Sequence, residues 1–392
     1  MTHTVASSMT SPATTHSSWF QRYLLPGFAF KAVIIGGGYA TGRELAEFFL
    51  PAGPWGGLAA MVLAMLIWSL VCVTTFLFAR AHGARDYLSF FRALLGRGWI
   101  VFEAAYLIFV VLILAVFGAA AGEIGSALAG LPHLIGTLAL LIAIAGFAMF
   151  GNASVERLFK YVSFLLYAVY FLFVILAFTR FGDRIAAGFA SNVPTTANWA
   201  LGGITYASYN IIGAVVILPV LRHLRSDRDA VVAGAIAGPL AILPAILFFT
   251  CMIAFYPAIG EQTLPSDFLL RQMNLPLFHL LFQLMIFAAL LESGTGAVHA
   301  VNERIAKTWL ASRGTAMSAR ARLIIALALL TVCMLLADRV GLVALIAKGY
   351  RLLAVLFLLV YVLPLLTLGC WRLSSQRTQK NSRHSGESRN PS

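Results

Sequence analysis

Residues 34–49 place three charged side chains inside a run that is otherwise apolar enough to cross a bilayer. These side chains are Arg43, Glu44 and Glu47. Ionisable groups at membrane depth are costly, and they mark substrate, ion or proton sites by default. Burial of a carboxylate favours its protonated form, so an acid in this stretch could bind a substrate group or carry a proton.

The spacing of these charges separates their roles. Arg43 and Glu47 are four residues apart and can pair on one helix, while Glu44 and Glu47 share a helix face at a spacing of three. If Arg43 and Glu47 neutralise each other, Glu44 is the acid left to contact substrate or to take part in proton coupling. Two interpretations of Arg43 stay open: it neutralises the charge of Glu47, or it determines which substrates a pocket accepts.

A second acid lies near the middle of a later apolar run. Glu292 is followed by Ser293 and Thr295, and their hydroxyl oxygens are suitable ligands for sodium. Serine and threonine are also common packing residues between membrane helices, and that alternative stays open. An acid at this depth needs a partner. Three basic residues could neutralise it: Lys31, Arg43 and His299.

Consecutive glycines precede the first charges. Glycine weakens a helix by about 1 kcal/mol per residue relative to alanine, so Gly36, Gly37 and Gly38 favour an unwound backbone at mid-membrane. Unwound backbone at that depth is tolerated only where it is buried in protein or lines a cavity. Residues 202–214 carry a second interruption, made by Thr205, Ser208, Asn210 and Gly213.

Interrupted runs at matching places in two halves of a chain point to a transporter binding site. A broken helix directs one positive N-terminal end and one negative C-terminal end toward the protein centre. The freed N–H groups can hold a carboxylate, and the freed carbonyl groups can hold a cation. The alternative is that these glycines simply allow close helix packing.

The elements that must position these residues are membrane-spanning helices. The chain of 392 residues is 60% hydrophobic and 11% charged, whereas soluble domains carry about 25% charge. About 20 apolar residues span a bilayer, and the chain has ten runs of suitable length: residues 23–50, 55–79, 98–128, 133–151, 155–181, 199–221, 230–256, 277–301, 321–337 and 341–371. The start of the last run could be a short separate helix, because Lys348 and Arg351 interrupt it. We therefore predict an all-α polytopic membrane protein.

The distribution of basic residues predicts the orientation. With the N-terminus in the cytoplasm, twenty of the 28 Lys and Arg residues fall in cytoplasmic regions, four fall outside and four lie within segments. Basic residues accumulate on the cytoplasmic side of membrane proteins, so both termini are predicted there. The net charge of +13 is then explained without a nucleic-acid partner. Ten segments divide into two five-segment halves of opposite orientation.

The predicted organisation has three parts. Residues 1–22 form a disordered cytoplasmic N-terminus without a signal peptide, residues 23–371 form the transmembrane domain with repeats at 23–181 and 199–371, and residues 372–392 form a basic cytoplasmic tail near anionic lipid headgroups. The four cysteines lie in apolar runs without metal-ligand spacing, which is typical of small buried hydrophobic residues. We expect no cofactor and no metal beyond a sodium ion.

The first charged stretch resembles the first segment of the YkvI-like membrane proteins. It reads Gly-Gly-Gly-Tyr-Ala-Thr-Gly-Arg-Glu-Leu-Ala-Glu-Phe-Phe over residues 36–49, and that family typically has Gly-Ala-Gly-Phe-Ala-Ser-Gly-Gln-Glu followed by an aromatic pair. Residues 206–210 (Tyr-Ala-Ser-Tyr-Asn) are similar to the family's sixth segment, and residues 302–304 (Asn-Glu-Arg) to its eighth. The resemblance covers roughly residues 23–366, and it departs from the family at Arg43, where glutamine is usual.

The resemblance implies the amino acid–polyamine–organocation superfamily, and with it a LeuT-like five-plus-five inverted repeat with broken first and sixth helices. In LeuT-like transporters, hydroxyls of the eighth segment and carbonyls of the first break form a sodium site. The predicted ion-coupling set is Ile35, Gly36, Gly38, Glu292, Ser293 and Thr295. The predicted substrate-binding set is Gly36, Gly37, Gly38, Thr41, Gly42, Arg43, Glu44, Tyr206, Ser208 and Asn210. Four aromatic residues could wall the pocket: Tyr106, Phe109, Tyr206 and Tyr209.

Together these features predict a cation-coupled secondary transporter of a small solute, an amino acid or a related compound, that works by alternating access. The coupling ion is Na⁺ or H⁺, and the expected partners are the solute and the lipid bilayer, in a bacterial inner membrane. The alternative is a ligand-sensing receptor or signalling subunit that has the same fold and transports nothing. An enzyme is not predicted, because neither a His-Glu-x-x-His zinc signature nor a Gly-x-Ser-x-Gly elbow occurs. The sequence leaves the oligomeric state open.

Overall fold

The computed structural model describes residues 18–35, 37–149, 152–191 and 193–375, without the side chains of residues 37–38, 148–149 and 152–164. Gly36, which was predicted to contribute to both sites, and most of the two predicted tails lie outside the described residues. Every regular element in the described ranges is helical, as predicted for an all-α protein.

Sixteen α-helices are present in the described ranges. In chain order they are α1 Leu25–Ile34, α2 Gly37–Ala40, α3 Arg43–Phe48, α4 Gly53–Ala81, α5 Tyr87–Leu95, α6 Trp99–Ala129, α7 His133–Met149, α8 Asn152–Ala190, α9 Trp199–Asn210, α10 Gly213–Val216, α11 Asp227–Ile253, α12 Pro265–Met273, α13 Pro276–Arg313, α14 Ala319–Val340, α15 Leu342–Ala344 and α16 Tyr350–Phe357. Short π-helices cover Phe20–Leu24, Leu345–Gly349, Leu358–Val362 and Leu365–Gly369, and 3₁₀ turns cover Leu50–Ala52, Gly96–Gly98, Leu218–His223 and Ala258–Glu261.

Seven helical stretches in the described residues are long and apolar enough to cross a membrane: Arg43–Ala81, Tyr87–Ala129, Leu165–Ala190, Asp227–Ile253, Pro276–Arg313, Ala319–Val340 and Leu342–Ser375. The fourth predicted segment, with apolar helix His133–Phe147, is shorter. The first and sixth predicted segments are divided into pieces that fall below spanning length, because each is broken. The chain is therefore an integral membrane protein with about ten segments.

The first segment is broken at two points. Helix α1 ends at Ile34, and Ile35 leaves the helical conformation with a ψ of 69°. A second turn follows α2 at Thr41 and Gly42, where Gly42 has a φ of +78°. This left-handed conformation favours glycine, and an added Cβ would also press against the ring of Phe248. The carbonyl freed at Thr41 accepts a hydrogen bond from the Ser266 amide at 3.0 Å.

The sixth segment is broken at the place matching the first. Helix α9 ends at Asn210, residues Ile211 and Ile212 form a turn, and α10 begins at Gly213. The Asn210 side chain donates back to the Tyr206 carbonyl at 3.1 Å. Both breaks that the glycines and polar residues predicted are therefore confirmed.

The two halves of the chain are joined where α4 and α11 cross. A Cβ at Gly234 would come within 2.5 Å of the Val73 nitrogen, and one at Gly238 would overlap the Met65 carbonyl oxygen. Only glycine allows this approach of two helix backbones. Helices α4 and α11 are the second segments of their respective halves, so corresponding elements pack together as an inverted repeat requires.

Several predicted boundaries differ from the structure. The fifth segment continues to Ala190 instead of residue 181, and the eighth extends through α13 to Arg313 instead of residue 301. The amphipathic helices α5 and α12 were not predicted. The last segment is one continuous helical stretch, Leu342–Ser375, so a separate helix at its start is not formed. Of the N-terminal tail, Phe20–Leu24 is helical.

The ends of the helices define two faces of the bundle. We call one the terminal face, because Arg22 and Ser375 lie on it; there Arg22 binds Asp229 at 2.7 Å and Arg80 binds Asp227 at 3.0 Å. The other is the opposite face, where the rings of Trp55 and Phe189 pack edge to face with centroids 5.1 Å apart. Helix α12 lies on the opposite face.

Candidate functional site

A cavity of about 410 Å³ lies between the broken segments and the helices α6 and α13. Its wall includes Ile34 before the first break, Glu44 after it, Asn210 before the sixth break and Ile212 within it. The two breaks thus meet at one cavity. This volume falls within the range of about 300–1,000 Å³ that is typical of small-molecule pockets.

Glu44 lies at the inner end of this cavity, in the first turn of α3. It is 4% exposed, and its Oε2 accepts a hydrogen bond from the Tyr209 hydroxyl. Tyr209 is 1% exposed, and its ring packs at a tilt against that of Tyr350 with centroids 4.4 Å apart. A carboxylate from the first segment and a hydroxyl from the sixth therefore close the cavity together.

Aromatic packing fixes the part of α9 that carries Tyr209. Tyr206 is fully buried, with ring centroids 4.8 Å from Phe49 and 5.5 Å from Trp68. The Trp68 indole donates to the Ala207 carbonyl at 3.0 Å. Helix α9 is thereby held against α4, and Tyr209 keeps its direction toward Glu44.

The cavity opens toward the terminal face. The lining residues Val33 and Val216 are 38% and 43% exposed, and Ala300 is also exposed, whereas Glu44 at the other end is buried. The intervening wall is mostly apolar, and it includes Phe109, Val110, Ile113 and Phe117. The exposed end of this apolar chamber therefore lies toward the terminal face, and its buried end is a carboxylate.

A network around Arg43 closes the opposite face. Its guanidinium donates to the carbonyls of Gly260 at 2.8 Å and Gln262 at 3.0 Å, and to Glu47 at 3.1 Å. Arg351 reaches the other oxygen of Glu47 at 3.0 Å. The network ties α3 to the loop before α12 and to the last segment, just beyond Glu44.

This network confirms the predicted Arg43–Glu47 pair and gives Arg43 a position outside the cavity. The guanidinium lies on the side of the first segment that faces away from the cavity, at Gly260 and Gln262. Arg43 is absent from the described cavity lining. The interpretation in which Arg43 shapes the pocket by direct contact thus gains no support from its position.

A much smaller pocket of about 40 Å³ adjoins the cavity at the first break. It lies between α1, α8 and α13, and its lining includes Ile35, Tyr167, Glu292 and Ser293. Glu292 and Ser293 border both spaces. The Lys31 ammonium lies 4.5 Å from the centre of the Tyr167 ring, so a cation from α1 lies beside this small pocket.

Five other predicted site residues are absent from the described lining of both spaces: Thr41, Gly42, Tyr206, Ser208 and Thr295. Tyr206 belongs to the aromatic core, and the Ser208 hydroxyl donates to the Ile204 carbonyl at 2.6 Å within its own helix. Thr295 is fully buried, and its hydroxyl has no hydrogen-bond partner among the described residues. Thr41 and Gly42 form the turn toward α12. Three of the four predicted aromatic wall residues do line the cavity: Tyr106, Phe109 and Tyr209.

The apolar part of the site was not predicted from the sequence. Ile113, Phe117 and Ile212 line the cavity, but their residue types are the same as those that face lipid, so no local signal distinguishes them. Tyr350, which supports Tyr209, lies between Lys348 and Arg351 in the polar interruption of the last segment, and that interruption was its only signal. In the described part of the chain, no group of three or more His, Cys, Asp or Glu residues is placed to hold a metal ion.

Comparison with known proteins supports this architecture. No protein-family profile matches the chain. The chain is 25% identical over 300 residues to the uncharacterized membrane protein YkvI of Bacillus subtilis (strain 168), an alignment covering 71% of this chain and 79% of the relative.

Three solved structures resemble the fold. MhsT in complex with L-phenylalanine matches with a TM-score of 0.58 and 18% identity, covering 83% of this chain and 80% of MhsT. A mutant of the manganese transporter of Eremococcus coleocola matches with a TM-score of 0.53 and 16% identity, covering 91% of this chain and 80% of that transporter. A Na⁺-coupled sialic acid symporter in a substrate-bound outward-open state matches with a TM-score of 0.55 and 11% identity, covering 91% of this chain and 82% of the symporter. These proteins are LeuT-fold transporters, so the predicted LeuT-like five-plus-five fold is confirmed.

Proposed function

We propose that this protein is a cation-coupled secondary transporter that moves a small solute, an amino acid or a related compound, by alternating access. The observation that carries the proposal is the cavity that runs from the terminal face to both helix breaks and ends at the buried carboxylate of Glu44. A site at the centre of an inverted repeat, formed by two broken helices, is the arrangement expected of a secondary transporter.

The asymmetry of access supports alternating access. The cavity is open to the terminal face, while Arg43 and Glu47 tie α3 to the loop before α12 on the opposite face. This is one of the two states that a transporter needs. In the other state the Arg43 network is broken, α12 moves away from Thr41, and the terminal-face opening is closed.

The two acids supply the coupling chemistry. Glu44 lines the cavity and accepts a hydrogen bond from Tyr209. Glu292 borders both the cavity and the small pocket at the first break. A carboxylate in a poorly hydrated site favours the binding of a proton or a cation. Binding of Na⁺ or H⁺ beside Ile35 and Ser293 would therefore change the charge next to the break that has to move.

We also infer the family, orientation and location. The alignment with YkvI and the shared motifs favour the YkvI-like proteins and the amino acid–polyamine–organocation superfamily. The excess of basic residues at the terminal face favours a cytoplasmic location for that face and for both termini. A bacterial inner membrane is the corresponding location. The likeness to transporters favours transport over an enzymatic activity.

Flux measurements test the proposal. Purified full-length protein is reconstituted in liposomes, and uptake of labelled amino acids and related amines is followed under an imposed sodium or proton gradient. We expect gradient-driven accumulation in the wild type and loss of accumulation in Glu44→Gln, with wild-type uptake in the exposed acid-to-amide control Asp338→Asn.

Two results would contradict it. If a ligand raises the melting temperature of the protein but no solute accumulates under any gradient, the receptor alternative replaces transport. If Glu44→Gln retains both uptake and its pH dependence, Glu44 has no role in coupling or binding.

A further inference from the structure

We propose that the substrate is an organic amine that is recognised through its ammonium group and an apolar body, without a carboxylate. This inference rests on the proposed function and narrows its substrate class. It is carried by the juxtaposition of the Glu44 carboxylate with an apolar and aromatic wall in one cavity.

The anchor for an ammonium group is Glu44. The carboxylate is 4% exposed and faces the cavity, and its recorded partner among the described residues is the neutral hydroxyl of Tyr209. A buried charge is costly unless a charged group pairs with it. An ammonium in the cavity would complete the pair with the ionised carboxylate, whereas a neutral solute or an anion would leave the cost of the ionised form in place.

The wall of the cavity suits a cation with a hydrocarbon body. Aromatic rings attract ammonium groups through their faces, and Tyr106, Phe109, Phe117 and Tyr209 all belong to the wall. Most other wall positions are aliphatic. An inorganic cation would make little use of an apolar cavity of about 410 Å³, and transition metals need several N, O or S ligands, which the described residues do not group together.

A carboxylate-bearing substrate finds no cationic side chain in the described lining. Arg43 is bound to Gly260, Gln262 and Glu47 on the far side of the first segment. Lys31 lies over the ring of Tyr167 beside the smaller pocket.

Arg304, near the mouth of the cavity, is already paired. It forms an ion pair with Glu103, and its guanidinium lies 4.5 Å from the ring centre of Tyr87 and 5.6 Å from that of Tyr106. Its guanidinium therefore supports the wall through Tyr106 and is already paired with Glu103.

The backbone at the sixth break is also occupied. The amides of Ala214 and Val215 donate to the carbonyls of Ile211 and Ile212 at 3.0 and 3.1 Å. These N–H groups close the turn on itself, so they are not available to hold a substrate carboxylate in this state.

A set of matched ligands tests the inference with the wild-type protein. Leucine, 3-methylbutylamine and 4-methylpentanoate share one branched carbon body and differ only in which charged groups they carry. Binding to the purified full-length protein is measured by calorimetry and by thermal stabilisation. We expect the amine to bind at least tenfold more tightly than leucine, and the carboxylate not to bind. The phenyl series (2-phenylethylamine, phenylalanine and 3-phenylpropanoate) is expected to show the same order.

Substitutions at Glu44 test whether its carboxylate is responsible for the preference for amines. Glu44→Gln should weaken amine binding about 10- to 100-fold, as expected for loss of a charged hydrogen bond, and Asp338→Asn should leave it unchanged. Glu44→Asp retains the charge and should keep the amine preference. Equal or tighter binding of leucine or of the carboxylate, stabilisation by metal ions alone, or no binding of any amine would each overturn the inference, and none of these results depends on the folding of a variant.

The failure of this inference can be distinguished from the failure of the transport proposal. Gradient-driven uptake of leucine without binding of the amines would overturn the substrate class and leave transport in place. Selective amine binding without flux under any gradient would overturn transport and uphold the substrate class.

Discussion

Replacement of Arg43 by methionine removes the donor at the centre of the closure on the opposite face. Arg43 makes three charged hydrogen bonds, to the carbonyls of Gly260 and Gln262 and to Glu47. Methionine keeps much of the apolar stem and loses all three. Hydrogen bonds from charged groups contribute roughly 1.5–3 kcal/mol each, and water recovers part of that when the network opens. We estimate a net cost to the closed state of about 3 kcal/mol, which raises the population that is open at the opposite face about 100-fold.

Arg351 offers a comparison within the same network. Its side chain is 62% exposed and reaches the other oxygen of Glu47 at 3.0 Å. Exposed ion pairs contribute about 0–1 kcal/mol, so Arg351→Met should shift the same equilibrium by no more than about fivefold. The ratio between the two variants measures how far burial, rather than charge alone, holds the face closed.

Thiol accessibility reports the opening. Ser266 on α12 is fully buried, and its amide binds the Thr41 carbonyl, so a cysteine at this position is reachable only after α12 moves away. The exposed native Cys370 is first replaced by serine. The labelling rate of Ser266→Cys by an impermeant thiol reagent is then measured in vesicles with the opposite face toward the reagent.

The labelling rate should rise strongly with Arg43→Met and slightly with Arg351→Met. The exposed Arg339→Met, at the end of α14 on the same face, is the control for loss of a positive charge and should leave the rate unchanged. If Arg43→Met labels no faster than its parent, the network does not hold the opposite face closed.

Two further predictions concern stability, measured as the Tm of the purified protein. Gly202→Ala should lower the Tm, because the added methyl group would overlap the Phe48 carbonyl oxygen at a cost of about 1–3 kcal/mol. The control Gly146→Ala, with open space around it, should leave the Tm unchanged or raise it. Equal effects of the two substitutions would contradict the close approach of Gly202 to Phe48. Asp229→Asn should lower the Tm clearly more than Asp227→Asn, because the Asp229 carboxylate is 1% exposed while that of Asp227 is 61% exposed, and the reverse order would refute a structural role for the buried pair.

The fold was largely predictable because its signals are local. Apolar length gave about ten segments, and the glycines and polar residues gave the breaks near Gly37 and Gly213. Helices α5 and α12 were missed because each is a nine-residue amphipathic helix between longer apolar runs. Their stability depends on packing against the bundle, which no single stretch of sequence reveals.

The site was predictable only where spacing restricts direction. The i, i+4 spacing of Arg43 and Glu47 identified their pair, and Glu44 was separated from it by the same reasoning. Spacing states which residues share a helix face, but not toward which neighbour that face is rotated. Tyr206 and Ser208 therefore looked equivalent to Tyr209 and are instead turned into the core and along their own helix.

The close crossing of α4 and α11 has a consequence for how this protein is made. The surface of α4 around Met65 and Val73 is matched by Gly234 and Gly238, which are synthesised more than 150 residues later. The first half therefore enters the membrane with a contact surface that only the second half can cover. The two repeats are alike in architecture, yet the contact surface on α4 is covered only when the second repeat packs against it. Assembly has to wait for the seventh segment, and a chain that terminates between the repeats would leave this surface open to lipid or to another protein.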